Sequence, residues 1–420
     1  MQASIISIGD ELLVGQVVNT NASFIANELN KIGIIVKNIL AVGDNERDIL
    51  NSFEKYFLEN DIVLVTGGLG PTHDDITKKA VCKFFNVKLY QSSEIKERIK
   101  RILSYRNIEW NAAAEEQTFV PENCTIIPNN LGTAAGFLFE RNEKYFIVMP
   151  GVPYEMQDMM INFVIPFLSS KRKGDMIVHK TLRTTGITEA ALSELIGNIE
   201  TLLINNNQVS STLAFLPSPA GVNLRITAKS LKNEYAKETL NEIERKIRAK
   251  AEYYIYGIES EDLESVVGKL LIERNLKIAV AESCTGGLIA DKITNISGSS
   301  KYFERGIVAY SNQSKIEILG VKEELIVKYG AVSEEVAKAM AEGIRLISKT
   351  DIGISTTGIA GPTGGSVEKP VGLVWIGYSD AGETFALKNN FGNDRLLIKI
   401  RAAQAALNLV RLKLTGKKIK

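Results

Sequence analysis

At 420 residues with 45% apolar side chains, the chain is long enough for two to four domains and rich enough to bury several cores. Fifty Lys and Arg against 49 Asp and Glu leave a net charge of +1, which argues against broad electrostatic attachment to nucleic acid or an anionic membrane. The three cysteines, Cys82, Cys124 and Cys284, are widely spaced and form no CxxC pair, which fits a reducing cytoplasm without structural zinc. No apolar run approaches the roughly 18 residues of a membrane span, and Met1 to Gly9 has no basic leader, so a cytoplasmic protein without a membrane partner is expected.

Residues 1–169 alternate apolar runs with helical patterns. Ile5 to Ile8, Ile34 to Val42 and Ile62 to Thr66 read as strands, and Ala22, Ile25, Ala26, Leu29 and Ile32 mark a helix face. Such alternation predicts a parallel sheet covered by helices, with ligands beyond the carboxyl ends of its strands. Two of those ends carry unusual residues: Gly9-Asp10-Glu11-Leu12, and Gly67-Gly68-Leu69-Gly70-Pro71-Thr72-His73-Asp74-Asp75. Glycines at 67, 68 and 70 let a backbone approach a ligand closely. Asp74 and Asp75, just before a helix starting near Thr77, suit a hard divalent cation beside a phosphate, or simple helix capping. Leu131 to Phe137 and Met149-Pro150-Gly151-Val152-Pro153 are small-residue turns that could line the same cleft, while Glu94 to Tyr105 reads as a charged, solvated helix.

Ser169 to Gly174 reads as a linker into a small α+β domain at 174–254: an extended run from Ile177 to Thr185, a helix near Glu189 to Ile199, strands around Val209 to Ala214 and Val222 to Ala228, and a charged helix from Asn233 to Ala251. Pro217 to Gly221 is a hairpin turn, and no catalytic constellation stands out. A second boundary falls near Tyr256 to Glu261. From 259 to 415 α/β alternation returns, with strands at Ile278 to Ala281, Ile307 to Tyr310, Ile352 to Thr356, Gly372 to Ile376 and Thr384 to Leu387. Ser333 caps a helix, and the last helix runs from Asp394 to about Leu414 before a basic tail that reads as frayed.

Within this last segment, Val280 to Gly287 puts Ser283 where a strand turns into a helix opened by Thr285, Gly286 and Gly287. Free N–H groups there suit a phosphate or the oxyanion of acyl transfer; a plain capped turn is the competing reading. Both histidines, His73 and His179, precede Ser283, so a lysine or tyrosine becomes the candidate base. Lys315, one turn into a helix after Tyr310-Ser311-Asn312, fits: burial and a helix dipole depress a lysine pKa, and a neutral amine can deprotonate a serine. A solvated surface lysine is the alternative. Thr357-Gly358-Ile359-Ala360-Gly361 reads as a phosphate or ribose cradle, and Gly298-Ser299-Ser300 is a third unusual loop.

Read together, Gly-Asp-Glu-Leu-Leu, Gly-Gly-Leu-Gly-Pro-Thr-His-Asp-Asp, Ala-Glu-Ser-Cys-Thr-Gly-Gly, Tyr-Ser-Asn-(two residues)-Lys and Gly-Ile-Ala-Gly-Pro closely resemble the CinA family, in the family's order and over essentially the whole chain. The resemblance implies an α/β fold class: two α/β domains with largely parallel or mixed sheets, the first molybdopterin-binding-like and the last a nicotinamide-nucleotide amidase, joined by a small KH-like α+β domain. It implies a homodimer that deamidates nicotinamide mononucleotide, with Ser283 as nucleophile, Lys315 as base, Tyr310 and Ser300 assisting, Thr285, Gly286, Thr357 and Gly358 at the substrate or oxyanion, and Arg395 on the phosphate. Asn393-Asp394-Arg395 stands where the family more commonly has Gly-Asp-Arg. For the first domain it implies cleavage of ADP-ribose to AMP and ribose 5-phosphate with a divalent ion (magnesium, manganese or cobalt) on Asp10, Asp74 and Asp75, and a pyrophosphate against Gly67, Gly68 and Gly70, with Thr72 and Gly151 in the same cleft. The competing readings are a regulatory ligand-binding protein tied to competence or DNA damage, and a pterin-binding module without turnover.

Overall fold

The structure, a computed structural model, describes residues 1–70, 75–171 and 176–419. They fold into two compact units, one carrying the N-terminal sheet and the other the C-terminal sheet, with the middle segment divided between them.

In the N-terminal unit the strands are β1 (Gln2–Ile8), β2 (Ile35–Val42), β3 (Ile62–Thr66), β4 (Leu89–Gln91), β5 (Phe119–Pro121), β6 (Thr125–Ile127), β7 (Gly136–Arg141) and β8 (Lys144–Met149). Six of them form a sheet in the order β2-β1-β3-β8-β7-β6. The joins from β2 to β8 are parallel and the last two antiparallel, so the sheet is mixed rather than parallel throughout. The cause is local. Asn142 and Glu143, both at positive φ (53° and 57°), make a two-residue hairpin that returns β7 directly into β8.

The helix Ser93–Tyr105 is not a solvated excursion: Ile95, Ile99 and Leu103 recur every four residues and enter the core formed with Phe53, Phe137 and Phe146. Its charged composition hid a narrow apolar stripe. Where a linker was expected from Ser169, the helix Ile165–Lys171 runs on through Ser169 and Ser170.

The middle segment supplies β9 (Met176–Thr184), β10 (Val209–Ser218), β11 (Gly221–Ser230) and β12 (Ile255–Ile258), in the sheet order β10-β11-β9-β12. Since β12 pairs antiparallel with β9, the sheet runs to Ile258, into the boundary expected at Tyr256 to Glu261.

The C-terminal sheet contains β13 (Ile278–Glu282), β14 (Phe303–Val308), β15 (Ile352–Gly358), β16 (Leu373–Ser379) and β17 (Thr384–Asn390), in the order β14-β13-β15-β16-β17. β13 runs parallel to both neighbours, and β15, β16 and β17 are antiparallel. The helix Glu334–Ser348 packs Val336, Met340 and Ile344 against Ala279 and Ala281 on one face. Helices Leu263–Glu273 and Arg395–Leu414 cover Ile278 and Val280 on the other. Every residue of β13 is therefore buried.

Both sheets place a strand, β1 or β13, between two parallel neighbours. Chain connections diverge at the carboxyl end of such a strand, and the crevice there is where open α/β sheets hold ligands. Ile8 and the Gly67 loop stand at one such end, Ser283 at the other. The first crevice is tightly built: Gly67 has φ 108°, and a Cβ there would lie 2.1 Å from the Ile8 carbonyl oxygen. Gly67→Ala is expected to destabilise the N-terminal unit by about 2 kcal/mol or more, read as a lowered denaturation midpoint for that unit.

Candidate active site

The serine turn is set by the residue before it. Glu282, 1% exposed, ends β13 and bends its carboxylate over the start of the helix Leu288–Thr294. Its Oε2 accepts from the Gly287 and Ile289 N–H groups, both at 3.0 Å, and its Oε1 from Ala290 N–H at 2.9 Å. These first-turn donors, expected to face an anion, are thus taken by the chain's own carboxylate. Gly286 and Gly287 hold φ of 61° and 95°, which delays the helix to Leu288. The Ser283 N–H donates to Thr356 O at 3.0 Å, and the Thr285 and Thr356 hydroxyls lie 2.7 Å apart, so the turn is pinned to β15. Among the described residues, the N–H groups of Cys284 and Thr285 donate to no other residue.

Lys315 meets this turn from the helix Asn312–Leu319. Ser311 caps that helix in a reciprocal box with Ser314, which fixes where the helix begins. One turn in, Lys315 is only 2% exposed and points inward. Its Nζ lies 3.1 Å from Ser283 Oγ, 3.0 Å from Ala309 O and 3.2 Å from Tyr310 O, with Ser311 O at 3.5 Å. Burial pulls its pKa below the ordinary lysine value, opposed by the neighbouring Cys284. With two N–H groups on carbonyls, a neutral amine keeps its lone pair for the Ser283 hydroxyl. The Cys284 thiol, buried in apolar surroundings, is pushed up to about 12 and stays protonated, which leaves Ser283 as the nucleophile of the pair.

Arg395, the first residue of the last helix, donates from Nη1 to Gly361 O at 2.6 Å and from Nη2 to the Tyr310 hydroxyl at 3.3 Å. It therefore joins the Thr357–Gly365 loop to Tyr310, which is 61% exposed beside the serine turn. One helical turn on, Lys399 approaches the same turn: a Cβ on Gly286 would lie 3.5 Å from its Nζ. The sequence reading missed Lys399, although its i, i+4 spacing from Arg395 puts both on one helix face. Thr357 and Gly358 are committed structurally. The Thr357 hydroxyl donates to Ala331 O at 2.7 Å, and a Cβ on Gly358 would lie 2.7 Å from Leu373 O. Ser300 is not brought to Ser283. It precedes β14, at the end of the sheet where Tyr302 O accepts from Ile278 N, a strand length of about 16 Å from the serine turn.

In the N-terminal unit, Gly67, Gly68, Gly70, Asp75 and Gly151 do come together along a cleft of about 440 Å³. Thr72 and Asp74 lie outside the described residues. Asn21, unnoticed in the sequence, bridges the walls: its Nδ2 donates to Gly151 O at 2.7 Å and to Thr66 Oγ1 at 3.3 Å, and its buried Oδ1 has no partner. Asp10 turns aside to Asp44, whose N–H donates to Asp10 Oδ1 at 3.1 Å, and Glu11 lines the cleft instead. Among the described residues no three His, Cys, Asp or Glu side chains gather to hold a metal ion. Of the divalent site expected on Asp10, Asp74 and Asp75, Asp74 lies outside the described residues, and of the other two Asp75 lines the cleft. No described helix is long and apolar enough to cross a membrane.

Comparison with known proteins divides the chain the same way. Residues 4–170 match the family model described as "Probable molybdopterin binding domain", residues 179–257 "Damage-inducible protein CinA KH domain" and residues 260–414 "CinA C-terminal domain". The chain is 46% identical over 419 residues to a "CinA-like protein" of Chloroherpeton thalassium, covering 98% of this chain and 99% of that one. It is 43% identical over 411 residues to a provisionally named competence-damage inducible protein of Caldicellulosiruptor saccharolyticus, covering 98% of each. Among solved structures, the competence/damage inducible protein CihA from Agrobacterium tumefaciens is 38% identical, covering 37% of this chain and 96% of that chain, with a TM-score of 0.35.

Glu282→Gln tests how the serine turn is held. An amide would set its NH2 against at least one of the three N–H groups, so the variant is expected to lose about 2 kcal/mol in chemical denaturation. An unchanged midpoint would remove Glu282 from this role.

Proposed function

Because the chain belongs to the CinA family over its whole length, we propose that its C-terminal domain is a serine amidase that converts nicotinamide mononucleotide to nicotinate mononucleotide and ammonia. The observation that carries this reading is the buried 3.1 Å contact between Lys315 Nζ and Ser283 Oγ. In the reaction, Ser283 Oγ bonds to the carboxamide carbon as Lys315 Nζ takes its proton. The carbonyl electrons move onto oxygen, where the Cys284 and Thr285 N–H groups are the available donors. Collapse breaks the C–N bond, and the leaving nitrogen departs as ammonia with the proton returned by Lys315. Water, deprotonated by Lys315 in turn, adds to the ester on Ser283; Oγ leaves, regains its proton, and the carboxylate product is released. Arg395 and Lys399 supply two cations on one helix face for the nucleotide phosphate, with Tyr310 beside them.

The N-terminal cleft supports a second reading, as a site for ADP-ribose that cleaves its pyrophosphate to AMP and ribose 5-phosphate. The specific support is the unpartnered Asn21 Oδ1, an acceptor suited to a ribose hydroxyl, facing a glycine loop that leaves room for a pyrophosphate.

Ser283→Ala and Lys315→Met are each expected to lower ammonia release from nicotinamide mononucleotide by at least about 10³-fold in protein that still folds. Turnover near wild type in either would sink the reading. Activity of the wild type should rise with pH as Lys315 loses its proton, in a limb below the ordinary lysine range that Lys315→Met removes. Stability follows the same sign. The folded pKa lies below the unfolded one, so the unfolded chain binds more protons between the two, and this group's contribution to stability grows as pH rises from the folded value toward 10.5.

A further inference from the structure

A second cleft lies within the C-terminal unit, about 620 Å³ in volume, and shares no lining residue with the Ser283 turn. Its floor is apolar: Ile376 and Leu387, a cross-strand pair of β16 and β17, meet Leu409 and Leu412 of the last helix. One wall carries Tyr253 and Tyr254, whose rings meet edge to face at 4.9 Å and 79°.

Three carboxamides also line the cleft, and two of them are oriented by the protein. Gln404 is 4% exposed and lines the cleft, yet its amide has no hydrogen-bond partner among the described residues. Its amide opens to the cleft, where both its donor and its acceptor are available to a ligand. Asn408 presents a donor. Its Oδ1 accepts from Arg411 Nε at 2.9 Å, and its Nδ2 faces Gly186, where a Cβ would lie 3.3 Å away. Arg411 is itself locked by Ile255 O at 3.1 Å and Tyr253 O at 2.9 Å. Asn389 presents an acceptor, since its Nδ2 donates to Leu387 O at 3.2 Å.

One open carboxamide between a fixed donor and a fixed acceptor, above an apolar floor and beside two rings, matches a planar heteroaromatic with both functions on its edge. Asn and Gln pair with purine edges in this way, and aromatic side chains stack on bases. Among the described lining residues Arg401 is the one Lys or Arg. Its Nη1 donates to Phe391 O at 3.0 Å, which leaves the rest of the guanidinium for a phosphate at the mouth. The volume falls in the range of small-molecule sites. From this juxtaposition we propose that the cleft binds a purine nucleotide, with its base against Gln404 and Asn408 and its phosphate beside Arg401. The proposal does not rest on the amidase reading.

The test uses the full chain and 8-azido-AMP, photolysed and mapped by peptide, with unlabelled AMP and ribose 5-phosphate as competitors. Label is expected on peptides containing Tyr253–Tyr254 or Asn389–Phe391, displaced by AMP and not by ribose 5-phosphate. Gln404→Leu is expected to weaken that labelling about tenfold, and Arg401→Ala, at the exposed rim, to do the same without touching the interior. Label absent from these peptides, displacement by ribose 5-phosphate as readily as by AMP, or wild-type labelling in both variants would overturn the proposal.

Discussion

The C-terminal site depends on burying one amine. Taking an ammonium out of water costs several kcal/mol, so burial favours the neutral amine, whose two N–H groups meet the Ala309 and Tyr310 carbonyls. The Ala309 and Tyr310 carbonyls are free because β14 stops at Val308 and the next helix starts at Asn312, whereas Ser311 O already accepts from the Lys315 N–H. The Ser311–Ser314 box sets the helix start, and therefore whether Lys315 points at Ser283 or at solvent. A shift of one residue in that start would rotate the side chain by about 100°.

The same topology serves the two sheets differently. At the end of β13 the helix N–H groups are consumed by Glu282, so the polarity that would attract a phosphate is cancelled at the serine. That leaves a neutral turn suited to an uncharged carboxamide, with cationic groups brought from Arg395 and Lys399 on a separate helix. At the end of β1 the neighbouring turn is glycine and polar amide, with Asn21 as a strut between Thr66 and Gly151. One crevice is built for attack by a side chain, the other for close approach of backbone.

Much of this was legible in the sequence because strand ends and glycine turns carry strong local signals. Ser283, Lys315, Tyr310 and Arg395 stood in long motifs, and the structure gathers them. What escaped depended on long-range or directional information. Glu282 reads as a polar residue closing a strand; its meaning appears only once the strand is buried on both faces. Ser300 sits near Ser283 in sequence, but a helix carries the chain to the other end of the sheet. The start of β14 was missed because Glu304, Arg305 and Gly306 lie on an exposed edge strand without apolar alternation. The helix from Ser93 hid three buried residues among its charges.

The last helix, 20 residues from Arg395 to Leu414, ties these features together. It is buried over most of its length, because the C-terminal sheet covers one face and the middle segment reaches another through Arg411. Residues of both proposed sites therefore lie along one rigid element of about 30 Å. Arg395 and Lys399 stand at the serine site, and Gln404 and Asn408 follow within the next few turns. The middle segment's role changes accordingly. KH domains clamp nucleic acid with a GXXG loop, whereas the glycines of residues 176–257 stand at 186, 197, 221 and 257, with no such spacing. Its turn at Gly186 instead faces Asn408. In this chain part of the segment lines a cleft against the last helix, and it brings Tyr253 and Tyr254 to that cleft, where the carboxamides come from Asn389, Gln404 and Asn408.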